Sequence, residues 1–107
     1  MTTSDKETAA QQLVGDFLPK MVSLTDDLLF GDIWARPELS PRDRSLITVA
    51  GLIAGGHGEQ LRAHLALAKQ NGVTETELKE VFLHMAFYAG WPRAMSAITV
   101  AKQVFDT

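Results

Sequence analysis

The chain has 107 residues, 46% of them apolar and 21% charged, with a formal net charge of −3 and no cysteine. This length predicts a single domain over residues 1–107, and the missing cysteines exclude disulfides, thiolate metal sites and cysteine redox chemistry. The negative balance argues against a nucleic-acid partner, because no basic surplus is available to neutralise phosphates.

The polar start "MTTSDKETAAQQ" does not read as a signal peptide, and residues 1–11 read as a flexible or partly helical arm. No apolar run reaches the roughly 18 residues of a membrane span, so a cytoplasmic protein without membrane contact is expected. Pro19 then opens a helical segment with Met21, Leu24 and Leu28 at helical spacing, ended by Gly31 and "ARPELSP". In "LSPRDRSLITVAGLIAGG", Ser40 is a good N-cap, Pro41 fits the first helical position and Asp43 completes a capping pattern. Leu46, Val49, Ala50 and Ile53 form one stripe of this helix. Ile47 and Leu52 lie off it, so the helix is apolar nearly all round and calls for cover from a partner subunit or a central position.

The stretch "GLIAGGHGEQLRAH" comes next. Its glycines fit neither a P-loop, where His57 stands in the lysine position, nor a dinucleotide fingerprint, where Leu61 replaces the last glycine. They read as a helix–helix corner that needs positive φ and close approach. The following helix carries Leu61, His64, Leu65 and Ala68 on one face and stops at Asn71-Gly72. Thr74 and Glu77 make a capping box, with Val73 stapled onto Leu78. Leu78, Val81, Phe82, Met85 and Ala89 form the core face of the next helix, and the short "NGVT" turn predicts that these two helices are antiparallel neighbours. Trp91-Pro92 starts the last helix, where Ala94, Ile98, Ala101 and Phe105 align. The sum is an all-α domain of five or six helices.

Few residues carry chemistry. His64 lies on an apolar face and is either a satisfied core histidine or an acid–base group in a pocket. His84 stands one turn after Glu80, which can orient it, or the two form a solvated surface pair. His64, Glu80 and His84 match no standard metal spacing, so no metal is expected. Arg36, Arg42, Arg44, Arg62 and Arg93 stand near turns and helix starts, where the guanidinium fork suits carboxylates, though a structural ion pair is the plainer account of any one of them. Phe87, Tyr88, Trp91 and Pro92 form an aromatic cluster suited to a core, an interface or a ligand wall.

"ELSPRDRSLITVAGLIA" and "EQLRAHLALAKQNGVTETELKEVFLHMAFYAGWPRAMSAITVAKQVF" resemble the γ-carboxymuconolactone decarboxylase family of the AhpD-like superfamily. The resemblance covers residues 19–105. It implies an all-α fold of about six helices and a homo-oligomer, trimeric or hexameric. The redox branch of that superfamily carries C-x-x-C-x-x-x-H at the corner. Here His57, Gln60 and His64 stand at those places, and Ser45 replaces an upstream glutamate, so thiol peroxidase activity is not expected. The resemblance further implies a cofactor-free decarboxylase-like lyase acting on a small carboxylated lactone such as γ-carboxymuconolactone, in aromatic-compound catabolism. His64 and His84 would be catalytic, and Arg44, Arg36, Arg42, Glu80 and Trp91 would contact the substrate. The alternative is a non-catalytic or small-ligand-binding oligomer on the same scaffold.

Overall fold

A computed structural model describes residues 7–105 of the chain. They fall into two compact units, one ending at Glu38 and one beginning at Leu39. All regular structure among the described residues is helical, as the sequence predicts.

The first unit opens with α1 (Ala9–Val14), capped by Thr8, whose hydroxyl accepts from the Gln11 amide while the Gln11 side chain accepts from the Thr8 amide. The same hydroxyl donates to Asp26 at 2.9 Å. Part of the expected N-terminal arm is therefore helical from Ala9 on; residues 1–6 lie outside the described residues. Pro19 starts α2 (Pro19–Ser23), as expected for a residue that has no amide hydrogen to leave unsatisfied. The segment does not stop at Gly31. It widens into a π-helix over Leu24–Ile33, ended by a bond from the Trp34 amide to the Leu29 carbonyl at 2.9 Å. No residue of α1, α2 or the π-helix is buried.

The second unit consists of α3 (Pro41–Gly55), α4 (Gly58–Gln70), α5 (Glu75–Tyr88) and α6 (Trp91–Phe105). The local signals act as the sequence suggests. Ser40 accepts from the Asp43 amide at 3.0 Å, and Thr74 with Glu77 closes a reciprocal capping box. Gly56 and Gly72 take positive φ at the ends of α3 and α4, which spares the Cβ clash that other residues meet there. Val49, Ile53, Leu61, Leu65, Leu78 and Phe82 form the centre of the core.

Two expectations are corrected. The helices α4 and α5, though joined by a short turn, are not principal packing partners; α3 and α6 each pack against both of them and against each other. On α6 the buried positions are Ala94, Ala97 and Ala101, while Ile98 is exposed. A helix flanked by three others takes small side chains on its inner face, because backbones can then approach closely and keep core density.

Candidate functional site

The corner between α3 and α4 borders a cavity of about 340 Å³. Its apolar wall includes Leu52, Ile53 and Leu61 from these helices and Ala97 and Val100 from α6. Its polar side chains are His57, Arg93 and Ser96, and no carboxylate among the described residues lines it. The glycines explain how two bulky polar groups fit there. A Cβ on Gly56 would overlap the Arg93 guanidinium, and a Cβ on Gly55 would come within 2.5 Å of the His57 ring. Gly56 also has φ of +72° and caps α3. The glycine corner is thus a seat for an imidazole and a guanidinium, rather than a phosphate loop.

Arg93 and His57 are both exposed at the rim of this cavity. Neither makes an ion pair or a side-chain hydrogen bond among the described residues. Arg93 occupies the first turn of α6, which holds no acidic residue; a cation at a helix N-terminus opposes the macrodipole. The start of α4 has no side-chain cap either. A second cavity, of about 380 Å³, lies between α5 and α6 over Phe82 and Phe105. Its Lys79 is already paired with Glu75 at 3.1 Å.

The residues expected from sequence are more dispersed. His64 is half-buried on α4, with Nδ1 withdrawn from solvent; burial holds its imidazole below the ordinary value of 6.5. Arg44 is half-buried on α3, with Nε withdrawn from solvent. Arg42 is tied to Glu77 across α3 and α5. The Glu77 carboxyl is held low first by the backbone hydrogen bond at Thr74, which burial opposes, and then by the Thr74 hydroxyl and Arg42. Arg36 belongs to the first unit, where it pairs with Glu38 at 3.5 Å between exposed side chains. His84 and Glu80 are exposed on α5, and the His84 ring stacks on Tyr88 at 4.8 Å. Trp91 is exposed and meets Phe87 edge to face at 5.9 Å.

Neither histidine of the expected pair lines the cavity at the corner. Of His57 and Arg93, which do, Arg93 is among the arginines whose position suits carboxylates but not among the expected substrate contacts, and His57 is in neither group. The signal for Arg93 was present: an arginine directly after Trp91-Pro92 sits at the positive end of a helix without an acid to offset it. Ser45 is buried and accepts from the Asn71 side-chain amide at 3.0 Å, which ties the start of α3 to the end of α4.

Among the described residues, fold and site together define an all-helical protein with a cavity lined by an arginine and a histidine, and by no carboxylate, at a glycine corner. The chain belongs to the carboxymuconolactone decarboxylase family, whose model matches residues 19–103. It is 40% identical over 92 residues to the 4-carboxymuconolactone decarboxylase of Acinetobacter baylyi, a match covering 86% of this chain and 69% of that protein. It is 35% identical over 83 residues to nitrosuccinic acid decarboxylase npaB of Metarhizium robertsii, covering 78% of this chain and 58% of that one.

Proposed function

We propose that the protein is a cofactor-free decarboxylase of a small carboxylated substrate, with γ-carboxymuconolactone the expected case. The observation that supports this most is the 40% identity to a protein named for that reaction. The second relative is named for decarboxylating a different acid, and the two acids share a chemical logic. In each, the departing carboxylate is placed so that the electrons of the breaking C–C bond can flow into an acceptor, a conjugated lactone carbonyl or a nitro group. Carbon dioxide leaves, negative charge collects on the acceptor oxygen, and a proton is then added to carbon. A protein serving this reaction supplies a hydrogen-bond donor at that oxygen, an acid for the carbon, and cations that hold the carboxylates.

His64 suits the first role. Its lowered pKa keeps the imidazole neutral near pH 7, so it donates one N–H without bringing a charge that would favour the ground-state carboxylate equally. His84 is assigned the proton transfer to carbon, with Glu80 orienting it. Arg44, Arg42 and Arg36 are assigned to substrate carboxylates, and Trp91 to the rim. The same reading makes residues 1–107 one functional domain. It also makes the protein a cytoplasmic homo-oligomer, trimer or hexamer, working in aromatic-compound catabolism. Exposed apolar side chains such as Ile47, Phe87 and Tyr88 support association, and no helix among the described residues is long and apolar enough to cross a membrane.

The test is a direct assay of CO₂ release from γ-carboxymuconolactone. Turnover that resists chelators and falls about a hundredfold in His64→Gln and in His84→Gln, with the fold intact, is the expected result. The second reading, a scaffold that binds small acids without turning them over, is favoured by the absence of both histidines from the corner cavity. It would replace the first if the wild-type protein binds dicarboxylates but releases no CO₂.

A further inference from the structure

We propose that Arg93 and His57 form a carboxylate clamp at the glycine corner, and that it holds the carboxylate a substrate keeps rather than the one it loses. This rests on the decarboxylase reading for its substrate, but the clamp itself rests on the geometry of the corner.

Four observations converge. First, the cavity is lined by two side chains able to carry positive charge and, among the described residues, by no carboxylate. Second, neither of the two is offset by an ion pair among the described residues. Third, both are packed onto glycines that leave room for them: Arg93 over Gly56 and His57 over Gly55. Fourth, the starts of α4 and α6 both border the cavity, at Gly58 and Pro92. The start of α6 adds partial positive charge there, while that of α4 is offset by Glu59 in its first turn. A guanidinium held at the N-terminus of its own helix is badly placed until an anion arrives, and a bound carboxylate would relieve both the charge and the dipole.

The chemistry selects the retained carboxylate. A group that anchors the departing carboxylate through full charge pairing stabilises the ground state and opposes its conversion to neutral CO₂. The clamp is the opposite kind of device. It contacts charge that is unchanged through the reaction, so it contributes binding and orientation equally in ground and transition states. Leu52, Leu61 and Val100 give the carbon skeleton an apolar wall beside it. Ser96 adds one hydroxyl at that wall. The predicted substrate is therefore an acid with at least two carboxylates, one seated at Arg93.

The experiment has two arms. In the first, succinate is titrated into the ¹⁵N-labelled protein. The amide signals of Gly56, Gly58 and position 93 should move in the wild type and stay still in Arg93→Ala. Gly55→Ala, which keeps both side chains but pushes the His57 ring aside, should weaken the response at least threefold. Arg62→Ala removes a charge that is instead bonded to Gln103 at 2.8 Å, and should respond as the wild type. In the second arm, Arg93→Ala should raise KM for γ-carboxymuconolactone tenfold or more while kcat changes less than threefold, and Arg93→Lys should recover part of the loss. Succinate shifts without turnover by the wild type would discard the decarboxylase reading and keep the clamp. Four outcomes would overturn the clamp: no succinate response at the corner, an equal response in Arg93→Ala, a loss of kcat with KM unchanged, or inorganic phosphate moving the same amides more strongly than succinate.

Discussion

The two units are made of similar residues and bury them very differently. From Leu39 onward, four helices enclose Val49, Ile53, Leu65 and Leu78, each at or near zero exposure. In the first unit, Phe17 is 89% exposed and Leu13 80%, and no side chain of its helices is buried. Leu24, Leu28, Leu29, Phe30 and Ile33 are all exposed along the π-helix. The contrast teaches that apolar content alone does not make a core; it takes several helices to surround one face. The second unit has them. The first has a capped helix, a hydroxyl–carboxylate tie and a row of exposed apolar side chains.

The largest expected effect therefore falls on the second unit. Leu65→Ala should lower stability by roughly 2–5 kcal/mol in urea unfolding, through lost burial and the cavity left behind. Leu28→Ala, at an exposed position, should cost less than about 1 kcal/mol under conditions where the protein is dissociated. Equal costs for the two would erase the distinction between the units.

Association should respond the other way round. The paired change Leu28→Asp and Phe30→Asp should shift the protein towards a subunit of 11.7 kDa in light scattering, with its helical circular dichroism largely preserved. A wild-type protein that is already monomeric at micromolar concentration would show that the apolar face of the first unit is not a subunit contact.

A smaller effect is expected at the lock between α3 and α4. Ser45→Ala removes the acceptor for the Asn71 side chain and should cost about 0.5–1.5 kcal/mol, the usual net value of one hydrogen bond, with a further penalty if the amide is left unsatisfied. Adding Asn71→Ala to Ser45→Ala should then cost less than Asn71→Ala does alone. Strict additivity would mean that the two side chains act independently.

What could be read from the sequence divides along the same line. Caps and stops were legible because each is a local pattern with one physical meaning: Ser40 and Thr74 accept from an amide three residues on, and Gly56 and Gly72 supply positive φ. The π-helix was not, because Met21, Leu24 and Leu28 fit an α-helical stripe while the backbone actually widens beyond Ser23. Helix adjacency was misread for a related reason. A short turn keeps the end of α4 near the start of α5, yet the flanks of both are filled by α3 and α6. At the site, residue type was legible and place was not. The arginines were recognisable as carboxylate ligands, but only the fold shows that Arg42 is taken by Glu77 and that Arg93 folds back over Gly56. The histidine that lines the cavity, His57, sits in the corner itself rather than on a helix face, where periodicity gives no information.

The smallest effect concerns His64, and its sign follows from burial. Desolvation lowers its pKa in the folded protein below the ordinary 6.5, because burial removes hydration from the charged imidazolium. Above pH 6.5 the ring is neutral in folded and unfolded chains alike, and it contributes no pH dependence. As pH falls through 6.5 the unfolded chain takes up a proton that the folded chain refuses, so stability declines. The decline ends once pH has dropped through the folded-state value, where both forms are charged. Glu77 has a lowered carboxyl pKa, so its stabilisation is present above its ordinary value of 4.5 and is lost only as pH falls below it. The two groups therefore act in separate windows. In His64→Gln the midpoint of thermal unfolding should vary less between pH 7.5 and pH 5.5 than in the wild type, while the steeper loss below pH 4.5 should remain. A wild-type protein that gains stability on acidification from pH 7.5 to 5.5, with the gain abolished in His64→Gln, would mean that His64 is charged and paired in the folded state. The neutral-donor role assigned to it would then fall.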